Sequence, residues 1–365
     1  MSFPARPFDD ASVDHLGFYV RDLTAAAGWL TKGFGLEVVA ATDPAGTAGA
    51  RSAALGSGRI RLVLTEPLDR DHPGARYLAA HGDGVADVAL RVPDAAAAYE
   101  EAVRRGATAV RPPAVHGDVV TATVLGFGDV AHTFVQRDTD APLPGLVPAA
   151  TPPAEPGPGG LWDVDHLAVC VQPGHIDGTV EFYRRVLDFE LIFTEHIVIG
   201  TQAMTTKVVQ SRSGAVTFTL IEPDVTQNPG HIEEFLTDHG GAGVQHIAFS
   251  TDDIVTAVDG IGRRGVEFLP TPETYYAQLP GRIDVGRHPV EELSRLDVLV
   301  DQDHDGQLFQ IFTKSVHPRG TIFYEVIERL GARSFGSGNI AALYRAVEAQ
   351  RDSDDESVDD SADAA

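Results

Sequence analysis

Two histidines and one glutamate stand out once strand periodicity is used to sort the fourteen histidines of this 365-residue chain. In Val164-Asp165-His166-Leu167-Ala168-Val169-Cys170, alternation places His166 on the face of Val164, Ala168 and Cys170. In Val244-Gln245-His246-Ile247-Ala248, His246 shares its face with Val244 and Ala248. Each histidine is followed two positions later by alanine, which leaves room beside an imidazole. The run Thr321-Ile322-Phe323-Tyr324-Glu325-Val326-Ile327 is strongly β-prone, and its glutamate lies on the face of Phe323 and Ile327, where a buried carboxylate needs a partner. Brought together, two neutral imidazoles and one carboxylate would hold one face of a divalent metal and leave the other positions open. That set suits non-haem Fe(II) and oxygen activation, and three protein ligands plus water describe catalytic zinc equally well. The plainer alternative is three unrelated residues, since strand histidines are commonly hydrogen-bonded core groups and strand glutamates commonly solvated or salt-bridged.

The elements that must position these residues are read from an internal repeat. Val13-Asp14-His15-Leu16 returns as Val164-Asp165-His166-Leu167, and Leu64-Thr65-Glu66-Pro67 returns as Leu220-Ile221-Glu222-Pro223. Asp87 precedes an Arg-Arg-Gly ending at Gly106 by the same interval that separates His246 from Gly265. Within each half an alternating strand is followed by a short amphipathic helix and several more strands, as in Val164 to Val171 followed by Asp177 to Leu187. The reading is an α+β fold of tandem βαβββ modules, four in all, closing into two half-open barrels whose concave faces would hold a ligand or metal. At the positions matched to His246 and Gln310, the first half has Asp87 and His132, no glutamate strand is expected before residue 141, and His15 is left alone. One metal per chain is therefore expected, in the second half, with the first half catalytically silent and serving as a packing or dimerisation partner.

Seven of the 23 prolines fall between Pro142 and Pro158, beside Gly157, Gly159 and Gly160, which predicts a linker over 141–160. The expected organisation is a non-metal domain over 9–140, a metal-binding domain over 161–350 and a disordered acidic tail over 351–365. Acidic residues outnumber basic ones 53 to 28, for a net charge of -25, which argues against nucleic acid or an anionic membrane surface as partner. Cys170 is the lone cysteine, so no intramolecular disulfide forms and no cysteine cage for zinc can be built. No apolar leader or membrane-length apolar run appears, and the expected location is cytoplasmic. Asp301-Gln302-Asp303-His304-Asp305-Gly306 resembles a calcium loop but has Phe312 where that loop needs glutamate, so a hairpin turn is expected. No nucleophile elbow, phosphate loop or dinucleotide fingerprint is present.

Several motifs together carry a family resemblance. Gly243-Val244-Gln245-His246-Ile247-Ala248, Gln307-Leu308-Phe309-Gln310-Ile311-Phe312-Thr313-Lys314 and Phe323-Tyr324-Glu325-Val326-Ile327-Glu328-Arg329, followed by Phe335-Gly336-Ser337-Gly338-Asn339, resemble the 4-hydroxyphenylpyruvate dioxygenase family of the vicinal oxygen chelate (glyoxalase-like) superfamily. The resemblance covers all but the tail. It implies Fe(II) held by His166, His246 and Glu325, with 4-hydroxyphenylpyruvate and O2 as substrates and no separate 2-oxoglutarate. The family runs two chemistries. Homogentisate-forming members usually carry proline and asparagine in the strand that here holds Thr219 and Ile221, and phenylalanine where Ile340 stands after Gly338-Asn339. All three departures are similar to the branch that hydroxylates the benzylic carbon and forms 4-hydroxymandelate with release of CO2. The resemblance also places Thr206, where serine is frequent, and Gln310 against the substrate, each with the alternative of bonding only to neighbouring groups. Residues from Phe335 to Ala346 read as a C-terminal helix, either a lid or a static packing element. A glyoxalase-like isomerase using Zn or Ni, and a small-molecule sequestering protein, are the other activities this architecture suggests. The full second-half ligand set argues against the latter, and the keto-acid motifs argue against the former.

Overall fold

The computed structural model describes residues 6–43, 49–137, 142–336 and 338–339. The first half comprises β1 (Ser12–Tyr19), α1 (Leu23–Phe34), β2 (Glu37–Thr42), β3 (Ala50–Ser57), β4 (Ile60–Pro67), α2 (Pro73–His81), β5 (Gly84–Arg91), α3 (Ala95–Arg104), β6 (Ala109–His116), β7 (Val119–Leu125), β8 (Ala131–Arg137) and β9 (Leu146–Pro148). The second comprises β10 (Leu161–Cys170), α4 (Ile176–Leu187), β11 (Glu190–Ile199), β12 (Gln202–Gln210), β13 (Thr217–Pro223), α5 (His231–His239), β14 (Gly243–Thr251), α6 (Ile254–Arg263), α7 (Glu273–Gln278), α8 (Val290–Arg295), β15 (Leu299–Gln302), β16 (Gln307–Phe312) and β17 (Phe323–Leu330). Four βαβββ modules are thus present, as the repeat implies. They build two mixed sheets, ordered β6-β7-β8-β5-β1-β4-β3-β2-β9 and β11-β12-β13-β10-β14-β17-β16-β15. In each, the first strands of the two modules pair antiparallel at the centre, β1 with β5 and β10 with β14.

The repeated sequence signals have local physical causes. The Leu-x-Glu-Pro strand ends place Glu66 and Glu222 where each accepts the first amide protons of a module's helix, Glu66 from Leu23 at 2.9 Å and Glu222 from Ile176 at 3.0 Å. Gln136 and Glu328 do the same for Ala95 and Ile254, at 3.2 and 2.8 Å. In every module the last strand caps the module's own helix, satisfying a donor that the helix cannot. Asp22, Asp94 and Asp253 add side-chain N-caps to α1, α3 and α6.

Helices and outer sheet faces form the core shared by the two halves. Phe34 of α1 lies 5.2 Å, centroid to centroid, from Tyr324 of β17, and the fully buried Tyr183 of α4 bonds His132 of β8 at 2.8 Å. Tyr324 and Glu325, adjacent in sequence, therefore face opposite ways, one into this core and one onto the concave face. The Asp301 to Gly306 segment is the expected hairpin turn, with Gln302 paired to Gln307 and Asp303 accepting the amides of Asp305 and Gly306. Leu146–Pro148, within the expected linker, adds an edge strand to β2.

The repeat alignment around His132 needs correction. His132 lies on β8, which pairs parallel to β5 as β17 pairs parallel to β14. It is therefore not the counterpart of Gln310, which sits on β16. The first half does have the strand that carries glutamate in the second. With Asp87 opposite Ala131 and His246 opposite Phe323, Thr133 stands where Glu325 stands. The first-half trio is His15, Asp87 and Thr133, and Asp87 accepts the Thr133 amide at 3.0 Å and its hydroxyl at 2.5 Å. Much of the terminal helix expected from Phe335 onward, and Ile340, lies outside the described residues, as does the 351–365 tail.

Candidate metal centre and pocket

Three adjacent strands bring the ligand-type residues together. On β10 and β14, His166 pairs with Ala248 and Ala168 with His246; on β17, Glu325 pairs with Ala248. The two alanines are thus cross-strand neighbours of the larger groups, and their small size opens the space that imidazoles and carboxylate share. The Nε2 atoms of His166 and His246 lie 3.3 and 3.5 Å from Glu325 Oε2, and one ligand atom from each residue fits within a 4.8 Å cluster. All three side chains are buried, Glu325 to 1% exposure, and among the described residues its Oε1 has no hydrogen-bond partner. An orphaned carboxylate oxygen in such a place is costly unless a cation takes it up.

The other ring nitrogens are fixed from behind. Nδ1–H of His166 donates to Asp165 at 2.8 Å and that of His246 to Gln245 at 3.2 Å, which points both Nε2 atoms at the shared centre. Arg329 grips Asp165 with two hydrogen bonds of 2.7 and 2.9 Å and donates to the carbonyls of Ala332 and Ser334. Its guanidinium lies 5.1 Å over the Phe335 ring, which meets His166 edge-on at 5.4 Å. Phe323 stacks on His246 at 4.9 Å.

Electrostatics match a cation-binding geometry. Burial disfavours charge on His166, but Glu325 and Asp165 outweigh it and raise its pKa to about 9. Burial likewise opposes charge on Glu325 and on Asp165; the neighbouring imidazoles hold the first below the carboxylate range, and Arg329 with His166 the second. On His246 burial wins and the pKa falls. The centre stabilises positive charge, and metal uptake there would displace a proton.

Four of the residues expected at the substrate, Thr206, Thr219, Ile221 and Gln310, lie on the same concave face. Ala168 pairs with Thr219 and Cys170 with Ile221 across β10 and β13, and Thr206 pairs with Ile221 across β12. Gln310 pairs with Ile327, two positions along from the Phe312–Glu325 pair. Ile221 packs in an apolar cluster with Ala168, Cys170, Ile197 and Met204. Thr206 and Gln310 are each 2% exposed, and the Thr219 hydroxyl is buried without a partner among the described residues. Gly336, at φ 69°, brings its backbone so close to Gln310 that a Cβ would lie 2.8 Å from the amide.

Sequence reasoning missed Asp165, Gln245 and Arg329. The signal was present in the repeat, because Asp14-His15 and Arg137 reproduce Asp165-His166 and Arg329, and Arg137 bonds Asp14 at 2.9 and 3.1 Å.

Comparison with known proteins agrees with this architecture. The profile of the Glyoxalase/Bleomycin resistance protein/Dioxygenase superfamily matches residues 12–135 and 163–311. The chain is 33% identical to the 4-hydroxyphenylpyruvate dioxygenase of Tetrahymena thermophila, over 93% of this chain and 90% of the relative. It is also 33% identical to that of Dictyostelium discoideum, over 93% and 98%. Among solved structures, a triply substituted 4-hydroxymandelate synthase from Streptomyces coelicolor superposes with a TM-score of 0.85 at 43% identity, covering 95% of this chain and all of that one. With both half-barrels matched and the relatives aligned over nearly their full length, the chain belongs to the Glyoxalase/Bleomycin resistance protein/Dioxygenase superfamily and, within it, to the family of the 4-hydroxyphenylpyruvate dioxygenases.

Proposed function

We propose that this protein is a 4-hydroxymandelate synthase, an Fe(II)-dependent dioxygenase that converts 4-hydroxyphenylpyruvate and O2 to 4-hydroxymandelate and CO2. The observation that carries the reading is the buried set of His166, His246 and Glu325, with a Glu325 oxygen unpartnered among the described residues and two Nε2 atoms facing one centre. Fe(II) bound there supplies the one-electron chemistry that activates O2 and the open positions that a keto acid chelates. The chain's own residues do the rest. Asp165 and Gln245 hold the imidazoles in the tautomer that presents Nε2. The Phe335 and Phe323 rings flank the imidazoles and exclude water.

Product choice rests with the pocket walls. Ring hydroxylation giving homogentisate and benzylic hydroxylation giving mandelate differ only in which substrate carbon lies nearer the oxidant. Ile221, set among Ala168, Cys170 and Met204, offers the ring an apolar wall without an amide handle. That wall supports the benzylic outcome, and the isoleucine at Ile340, in place of phenylalanine, favours it by sequence alone. Thr206, Thr219 and Gln310 supply the hydroxyl and amide contacts that orient the substrate. The chemistry is tested by gas and metal stoichiometry. The Fe(II)-loaded protein should consume one O2 and release one CO2 per 4-hydroxyphenylpyruvate without 2-oxoglutarate, and His246→Ala should lose both iron and turnover. Turnover that depends on 2-oxoglutarate, or undiminished iron in His246→Ala, would overturn the reading.

A further inference from the structure

The first half-barrel keeps a cavity of about 640 Å³, within the range of small-ligand sites. It lies over the face that carries the metal centre in the other half. His15, Gly17 and Tyr19 of β1 and Asp87 of β5 form its floor, while Arg76 and Tyr77 of α2 and Val110 and Arg111 of β6 form its rim. A metal does not suit it. Both Asp87 oxygens are taken by Thr133, and that threonine stands where the other half has its glutamate.

The groups left over describe a different ligand. His15 is fixed through Nδ1 to Asp14 at 2.7 Å, and among the described residues its Nε2 has no hydrogen-bond partner, so a donor or acceptor faces the cavity. Gly17 leaves the floor open beside Asp87, whose Cβ lies 3.1 Å from where a Gly17 side chain would begin. Arg76 is exposed and makes no ion pair among the described residues. Among the described residues Arg111 spends only its Nε, on the Thr123 hydroxyl, and its charge acts inward on Asp87 and Tyr19. Tyr19 and Tyr77, 5.6 Å apart, and Val63 supply flat and aliphatic walls. One guanidinium without an ion pair and a second with its terminal nitrogens left over, beside aromatic walls, suit one carboxylate attached to a ring, and the Asp87 and Asp129 carboxylates that also line the cavity oppose a more highly charged anion.

We propose that this cavity binds a small aromatic carboxylate, its carboxylate at Arg76 and Arg111, its ring against Tyr19 and Tyr77, and a polar ring substituent toward His15. The site is independent of the metal centre and of the product formed there. Fluorine NMR titration of chelator-treated, full-length protein with 4-fluorophenylacetate tests it, since this probe lacks the keto group needed for chelation. A saturable binding component should survive in His166→Ala/His246→Ala. That component should weaken at least about tenfold in Arg76→Gln/Arg111→Gln, whose exposed side chains leave the thermal midpoint in place, and vanish in Val63→Trp, which fills the cavity. Absence of any saturable component, or a component indifferent to both first-half variants, would overturn the proposal.

Discussion

Replacing Asp165 by asparagine should separate what the metal centre needs from what the fold needs, because the molecule contains its own control. Asp165 accepts from His166 and twice from Arg329. Asparagine retains one acceptor oxygen, so its amide group must oppose either the imidazole N–H or the guanidinium. Loss of an outer carboxylate behind a ligating histidine weakens metal binding by about 10- to 100-fold, or about 1.4–2.8 kcal/mol. Breaking a buried ion pair on one side costs about 3–5 kcal/mol of stability, partly offset here because Arg329 keeps the Ala332 and Ser334 carbonyls. Asp14 repeats the arrangement in the first half, accepting from His15, Arg137 and Arg91. Burial works against its charge, but those partners lower its pKa to about 2. Asp14→Asn should therefore cost comparable stability while leaving iron affinity unchanged. Urea denaturation and anaerobic competition with a chelator for Fe(II) measure the two quantities. Equal loss of iron affinity in both variants, or unaltered affinity in Asp165→Asn, would refute the reasoning.

Further outcomes follow from other buried groups. His132 is buried and neutral, its pKa lowered by burial to about 4 against 6.5; the unfolded chain binds the proton first, so stability should fall by about 3 kcal/mol as pH drops from about 6.5 to about 4. His132→Phe should flatten that part of the urea midpoint's pH profile, and Tyr183→Phe, which strips the hydrogen bond across the halves, should cost about 1–3 kcal/mol at neutral pH. Thr219→Val removes a buried hydroxyl that has no partner among the described residues, so stability should hold or rise while KM rises; an unchanged KM would remove Thr219 from the substrate contacts. Ile221→Asn, alone or with Ile340→Phe, should divert part of the flux to homogentisate, and since about 1.4 kcal/mol between two barriers changes the ratio tenfold, chromatography would register even a small shift in substrate pose.

Much of this architecture was legible because duplication turns one sequence into two aligned copies. Strand alternation put His166, His246 and Glu325 on one kind of face, and the paired alanines marked where imidazoles need room. The Leu-x-Glu-Pro repeat was visible, but its meaning was not, since a glutamate that caps its own module's helix is defined only by the return of the last strand to that helix. The same limit produced the His132 misalignment. Parallel pairing of β8 with β5 is a long-range choice, and without it neither the Thr133 equivalence nor the His132 bond to Tyr183 can be read. Arg329 escaped notice because its role depends on meeting Asp165 across 164 positions.

The central claim is tested most directly by identifying what leaves the enzyme. The protein, loaded with Fe(II) and given 4-hydroxyphenylpyruvate and O2, should release 4-hydroxymandelate as its main aromatic product on chromatography against authentic standards. Homogentisate as the main product would contradict the assignment of the pocket.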